Sequence, residues 1–345
     1  MPSLVVFLLL AVTLAAWLLL ALVPAILELR IPRDADPLAG VGRDAGSLFY
    51  FANSFLARAS AEGLLGPAVP TALSDGTPVR VHGAASPLTT QRAAFRDVVV
   101  VTDPLPFPTG TVLAGEVVAQ QTLPPTEQLV VRALLGMRDV ALGANSTVLR
   151  WVHARGILEA HEGVELMGRA TADRTIILSP GVTFQRIEAD TVLVAGGDPP
   201  PPPPPRQRQA WTPRGGVQLG ERYWRVLGDV EIPPGVLLEG SLVATGSVLV
   251  GENALVRGAI KAQELLVVCR GAEVEGALSA WQGIGIEAGA RVAGPVIAEE
   301  DITIEAATVG FPGVRTTVVG HAVTLAPGAT LHGAVMAGRG RVPSA

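Results

Sequence analysis

A repeat of eighteen residues in the C-terminal half limits how this chain can fold more than any other feature. Gap-free blocks begin at Val230, Val248, Leu266, Ile284 and Ile302. In the first four blocks aliphatic residues form three pairs with a spacing of two, for example Val248 with Val250, Ala254 with Val256, and Ile260 with Ala262. Side chains alternate between the two sides of a strand, so each pair predicts a short strand whose aliphatic residues point inward. Three strands per block predict an all-β fold, a triangular β-helix.

Glycine marks one corner of the predicted cross-section. It recurs at the eleventh position of successive blocks, at Gly240, Gly258, Gly276 and Gly294. A residue without a Cβ is expected at a tight corner, above all if φ is positive there.

The same phase extends beyond these blocks in both directions. The ranges Leu105–Ala119 and Leu158–Ala172 each match a full block, and the pattern resumes at Val323 after an irregular stretch from Glu305 to Ala322. A repeat that keeps its phase favours one elongated body. We predict a single continuous solenoid of about thirteen turns, with a first part at 79–195, a second at 217–338 and a tail at 339–345.

Seven consecutive prolines, Pro199–Pro205, interrupt the repeat. Inward aliphatic pairs on both sides, Val192 with Val194 and Val217 with Leu219, favour a polyproline II excursion at 196–216 from one corner of the continuous solenoid. A passive loop is one interpretation. The other is a docking peptide for a protein partner with an aromatic groove. The docking residues would be Pro199, Pro202, Pro205, Arg206 and Arg208.

The N-terminus contains 24 residues without a charge, from Leu4 to Leu27. As a helix this segment would extend about 36 Å, enough to cross a hydrocarbon core of about 30 Å. We predict a transmembrane anchor within residues 1–30 that binds the lipid bilayer. A cleaved signal peptide is the alternative, but no basic residue precedes the apolar run. Arg30 and Arg33 follow it, which predicts that the β-helix lies on the cytoplasmic side of the inner membrane.

The juxtamembrane segment at 31–78 contains a candidate helix at Ser47–Arg58, with Phe51 and Phe55 on one face. Two interpretations are open. The helix is a hydrophobic plug over the first solenoid turn, which makes this segment the N-terminal cap, or it lies on the membrane surface beside the anchor.

Charge and composition exclude several classes of protein. The net charge is −5 and Lys261 is the single lysine, so no basic field exists to hold nucleic acid. No metal-ligand spacing is present, and we predict no cofactor.

Glu299, Glu300 and Asp301 form an acidic corner that we interpret as solvated. Outward residues Glu239, Arg257 and Glu275 predict a ladder of alternating charges.

A second class of eighteen-residue turns provides the enzymatic alternative. The period resembles that of left-handed hexapeptide acyltransferases, and this resemblance implies a catalytic histidine near a protruding loop. His321 ends the irregular stretch, and His332 follows at an expected outward position. Glycine, however, falls mainly at corners instead of after each large aliphatic residue. We therefore interpret His321, like His82, His153 and His161, as a solvated or loop histidine and predict no catalytic residue.

The turns Gly251–Ala262 and Cys269–Ala280 resemble the glycine-paced turns of bactofilins, the bacterial polymer-forming cytoskeletal family. The resemblance is good over Val230–Asp301 and looser over the first half. It implies a right-handed β-helix that polymerises end to end without nucleotide near the cytoplasmic membrane and positions other proteins. We therefore expect a membrane-anchored, self-associating structural scaffold and not an enzyme.

The end of the repeat is the expected site of self-association. The last turn of a β-helix has unpaired backbone donors and acceptors, and only the short tail at 339–345 follows it here. Copies of the chain are therefore expected to associate, giving a homo-oligomer or polymer. The contact residues would be Val323, Leu325, Leu331 and Val335.

Overall fold

The structure is a computed structural model that describes residues 13, 48–89, 94–197, 208–219 and 222–344. The chain divides into two units, Met1–Ser47 and Leu48–Ala345. Apart from Thr13, the predicted anchor lies outside the described residues, and so do Pro199, Pro202, Pro205 and Arg206. Among the residues that are described, no helix has the length and apolar character needed to span a bilayer.

The unit Leu48–Ala345 begins with helix α1 (Tyr50–Ala61), and its strands form two β-helical coils. The strands of the first coil are β1 (Val79–His82), β2 (Ala94–Phe95), β3 (Val98–Val101), β4 (Val112–Ala119), β5 (Val130–Gly136), β6 (Val140–Leu142), β7 (Thr147–Ala154), β8 (Ile157–Ala160), β9 (Glu165–Ala172), β10 (Thr175–Leu178) and β11 (Thr183–Val194).

The second coil begins after the proline-rich run. Its strands are β12 (Gln209–Ala210), β13 (Val217–Gln218), β14 (Tyr223–Val226), β15 (Val230–Ile232), β16 (Val236–Glu239), β17 (Ser241–Ala244), β18 (Val248–Val250), β19 (Leu255–Arg257), β20 (Ile260–Ala262), β21 (Leu265–Val268), β22 (Glu273–Val274), β23 (Leu278–Ala280), β24 (Gly283–Ile286), β25 (Arg291–Val292), β26 (Val296–Ala298), β27 (Asp301–Ile304), β28 (Thr308–Val309), β29 (Thr316–Leu325) and β30 (Thr330–Arg341).

Parallel ladders run along each coil. In the first coil, β1, β3, β4, β5, β7, β9 and β11 pair in succession. In the second, β14, β17, β20, β23, β26, β29 and β30 do the same. Each coil therefore has seven turns in the described chain, which confirms the all-β solenoid and gives fourteen turns instead of the expected thirteen.

The predicted inward phase is confirmed in the second coil. Ala262, Ala280 and Ala298 are register partners and are all buried, whereas Lys261 and Ile297, each one residue earlier in its strand, are exposed. One apolar core continues through both coils.

The glycine corner is explained by close backbone approach more than by φ. A Cβ at Gly258 would lie 2.4 Å from the backbone of Gly240, and a Cβ at Gly276 would lie 2.4 Å from the backbone of Gly258. Of the four corner glycines, Gly240 has a positive φ, +112°. Because the stacked corner glycines have no side chains, successive turns can lie one strand spacing apart.

The prediction of one continuous solenoid is wrong in its topology. β11, the last turn of the first coil, pairs antiparallel with β30, the last turn of the second, with Ile187 opposite Val335 and Val192 opposite Leu331. These four side chains are buried. The two coils therefore meet tail to tail. This antiparallel pairing satisfies the backbone groups of both last turns at once.

Residues 198–207, on which most of the predicted polyproline II excursion falls, lie outside the described chain. The residues that flank them lie at opposite ends of the second coil. Gly197 lies against Gly328, just before β30, while Gln209 begins β12 and pairs with β16. Six strand spacings separate β12 from β30, roughly 29 Å. Val217 and Leu219, predicted to point inward, are exposed.

Helix α1 lies on the flank of the first coil, so the prediction of a plug over the first turn is wrong. Ala52, Phe55 and Ala59 are buried against outward residues of several strands. These outward residues include Val98, Val100, Val118, Leu135 and Trp151. The outward face of these strands is itself apolar and needs a cover, which explains why the helix packs there.

The alanine column gives a direct test of the inward phase. Ala280→Phe should overpack the core and cost about 1–3 kcal/mol of stability, whereas Ser279→Phe, one residue outward, should cost little. Thermal unfolding followed by circular dichroism measures both variants. Equal melting temperatures would contradict the assigned phase.

Candidate functional site at the junction of the two coils

The junction of the coils carries a groove. Its volume is about 670 Å³, and β9 and β11 line one side while β27, β29 and β30 line the other. The lining residues carry charges of both signs, from Glu165, Asp301, Arg339 and Arg341. The Arg341 Nε–H donates to the Thr324 Oγ1 at 3.3 Å. Such a groove suits a polar ligand or a polar protein segment.

Of the residues predicted for self-association, Leu331 and Val335 lie on β30 at this junction, and Val323 and Leu325 lie on β29. Val323, Leu325, Leu331 and Val335 are all buried, and β30 is paired with β11 of the same chain. The premise of an open edge at the last turn is therefore wrong. Association of copies through these residues stays a prediction, and it requires β11 and β30 to separate.

Arg315, in the irregular stretch of the second coil, forms ion pairs across the junction. The guanidinium lies 3.1 Å from Glu188 Oε1 and 3.2 Å from Asp190 Oδ1, both on β11. It also lies 5.3 Å from the centre of the Phe49 ring, next to α1. Burial raises the pKa of Glu188, and the charge of Arg315 opposes that shift. Arg315 therefore links the second coil to β11 and to the start of the helix.

The two histidines of the enzymatic alternative occupy different surroundings. His321 is exposed on β29. His332, expected to point outward, is instead buried, with its Nδ1 3.3 Å from the Thr191 Oγ1 and 3.2 Å from the Asp190 carbonyl oxygen. The junction buries His332 because β11 pairs with the strand that carries it.

Two further histidines expected on the outside are buried as well. His82 stacks on Phe107 with ring centres 4.5 Å apart, and its Nδ1 accepts the Leu88 N–H at 3.0 Å. His153 packs against Phe49, and its Nδ1 lies 3.0 Å from the Thr171 Oγ1. Burial lowers the pKa of both histidines. His161 is partly exposed.

Of the predicted docking residues, Arg208 lies within the described chain. Its Nε–H donates to the Asn253 carbonyl oxygen at 3.0 Å, and its Nη2 donates to Glu273 Oε1 at 2.8 Å. Arg208 is largely covered and fixes the end of the proline-rich run to the second coil. The Arg208 side chain therefore binds groups of its own chain.

The predicted charge ladder is confirmed. Arg257 lies 2.9 Å from Glu239 and 3.6 Å from Glu275. All three side chains are about half exposed, so each pair contributes at most about 1 kcal/mol. At the acidic corner, as elsewhere in the described ranges, no three His, Cys, Asp or Glu side chains converge on a metal-sized site.

Two surface features were not predicted from the sequence. The first turn of the second coil exposes the apolar residues Val217, Leu219, Tyr223 and Leu227. A smaller cleft of about 290 Å³ lies beside α1 and is lined by three arginines, Arg150, Arg169 and Arg186.

Comparison of the chain with protein-family models, with curated proteins and with solved structures finds no match. The resemblance to bactofilins therefore stays an inference from the glycine-paced turns.

The buried histidines predict a loss of stability in acid. Because burial keeps His82 and His153 neutral, the unfolded chain, with histidine pKa values near 6.5, binds more protons. Their contribution to stability is complete above about pH 6.5 and is lost as pH falls below it. The melting temperature should therefore fall between about pH 7.5 and pH 5.

The variant His153→Gln should show a smaller fall than the unmodified protein, and His321→Gln, at an exposed histidine, serves as the control with the full fall. Other titrating groups contribute equally to all three proteins. If the melting temperature of His153→Gln falls as much as that of the unmodified protein, His153 does not cause the loss of stability in acid.

Proposed function

We propose that this chain is a membrane-anchored, self-associating structural scaffold that resembles bactofilins and positions partner proteins at the cytoplasmic membrane. The observation that carries the proposal is the tail-to-tail junction. It joins two seven-turn coils through a common core and a common sheet. A long body of this kind, built by strand pairing from end to end, is suited to a structural role.

The junction also determines which ends remain for association. Both last turns are paired with each other, so the ends of the body are the first turns of the two coils. At the first turn of the second coil, Val217 is 61% exposed and Leu227 is 77% exposed. Gln209 and Ala210 of β12, which pairs with β16, are exposed as well. Exposed apolar residues beside a strand edge favour association between copies.

Membrane attachment is supported by the apolar segment Leu4–Leu27. Its length matches a bilayer core, and the arginines after it favour a cytoplasmic location for the β-helix. The enzymatic alternative is less well supported, because the groove at the junction is lined by Ala322 while His321 lies exposed beside it. No observation favours acyl transfer over a structural role.

Deletion of residues 1–29 should release the protein from membranes, because Leu4–Leu27 is the strong spanning signal of the sequence. Alkaline washing of membranes from cells that produce each form, followed by immunoblotting of pellet and supernatant, measures attachment. If the truncated chain stays in the washed pellet, another segment carries the attachment.

Self-association should depend on the first turn of the second coil. Leu227→Arg should lower the sedimentation coefficient of the unit Leu48–Ala345 at tens of micromolar, roughly the range in which exposed edges associate. Leu265→Arg is the matched control, because Leu265 is also an exposed leucine but lies in the middle of the coil. A wild-type unit that remains monomeric would contradict the proposal, as would equal effects of the two variants.

A further inference from the structure

The arginine cleft beside α1 brings three cations together on adjacent strands. Arg150 lies on β7, Arg169 on β9 and Arg186 on β11, and the cleft is also lined by Phe51 and Trp151. Arg169 and Arg186 are direct register partners. Like charges placed opposite each other on neighbouring strands repel.

The three arginines have no carboxylate partner within the described ranges. The nearby acidic residues of β11, Glu188 and Asp190, bind Arg315 instead. The Nη1 of Arg169 is buried and makes no hydrogen bond with any described group. Burial, and then the charge of Arg186, lower the pKa of Arg169. A buried donor without an acceptor destabilises a fold unless a ligand or water satisfies it.

Aromatic contacts hold two of the three arginines in position. The Arg169 guanidinium lies 4.6 Å from the centre of the Phe51 ring, and that of Arg150 lies 5.9 Å from it. Contacts of this kind fix a guanidinium while leaving its N–H groups free to donate in the plane. Planar guanidinium groups match the oxygens of a phosphate through paired hydrogen bonds. The cleft therefore has the charge, the donors and the fixed geometry of an anion site.

The position of the cleft indicates where the anion would come from. Phe51 lies three residues after Leu48, the first residue of the compact unit, and 20 residues separate Leu48 from the end of the apolar segment at Leu27. Tyr50 and Phe51 are exposed beside the arginines. Aromatic and basic side chains together favour the headgroup region of a membrane.

We propose that Arg150, Arg169 and Arg186 bind a phosphate group, and that its source is the headgroup of an anionic membrane lipid. The choice of lipid as the source rests on the membrane anchoring proposed above. The binding of phosphate by the cleft does not depend on it. Bound phosphate would accept from the buried Nη1 of Arg169 and neutralise the repulsion between the two register partners.

The test uses the full-length chain in a neutral detergent. Its melting temperature is measured against inorganic phosphate, with chloride added to the same ionic strength as the reference. Arg186→Gln should weaken the apparent affinity for phosphate about tenfold or more, the factor that corresponds to one charge-assisted hydrogen bond. Arg291→Gln changes an exposed arginine on the second coil and should leave the affinity unchanged.

The melting temperature without phosphate separates a binding role from a structural one. Removing one of two repelling charges should leave the melting temperature of Arg186→Gln equal to that of the unmodified chain or raise it. A marked fall would show that the arginine supports the fold and would overturn the proposal. The proposal would also be overturned if phosphate raised the melting temperature of Arg186→Gln as much as that of the unmodified chain. The same holds if chloride raised the melting temperature of the unmodified chain as much as phosphate does.

A lipid arm distinguishes the two sources of phosphate. Micelles that contain phosphatidylglycerol should raise the melting temperature more than micelles that contain phosphatidylcholine, and Arg186→Gln should lose that difference. A response to inorganic phosphate without a response to phosphatidylglycerol would overturn the lipid source. Membrane release on deleting residues 1–29 is measured separately, so failure of the anchor and failure of the cleft give different results.

Discussion

The antiparallel pairing of β11 with β30 is the constraint on which the rest of the structure depends. Each coil would otherwise end in a turn whose backbone donors and acceptors have no partner. Pairing the two last turns gives partners to the backbone groups of both edges and joins the cores of the two coils. The burial of His332, the ion pairs of Arg315 with β11 and the groove at the junction all follow from this contact.

Much of the coil itself could be predicted from the sequence, because inward and outward positions alternate with a fixed period. The alanine column at Ala262, Ala280 and Ala298 and the ladder around Arg257 lie where the repeat places them. The reversal at the junction could not be predicted. Val192 and Leu331 are aliphatic like any inward residue, and an aliphatic position fits a parallel and an antiparallel neighbour equally well.

The candidate sites were harder to predict than the fold because they depend on departures from the period. Arg150, Arg169 and Arg186 are spaced by 19 and 17 residues, and a register shift between β9 and β11 brings the last two opposite each other. His82 and His153 were assigned to the outside, but each is covered by an aromatic ring from another part of the chain, Phe107 and Phe49. The cover of His153, Phe49, lies outside the repeat and leaves no periodic signal.

The order of the two coils along the chain makes the junction a problem of timing during synthesis. The ribosome completes β11 first, and 135 residues separate Val194 from Thr330. At typical elongation rates of 5–20 residues per second, roughly 7–27 s pass before β30 emerges. During that interval β11 is without its native partner, and a neighbouring nascent chain on the same messenger offers the same strands. Closure within one chain therefore competes with exchange between chains, and the rate of translation becomes one of the factors that decide which junction forms.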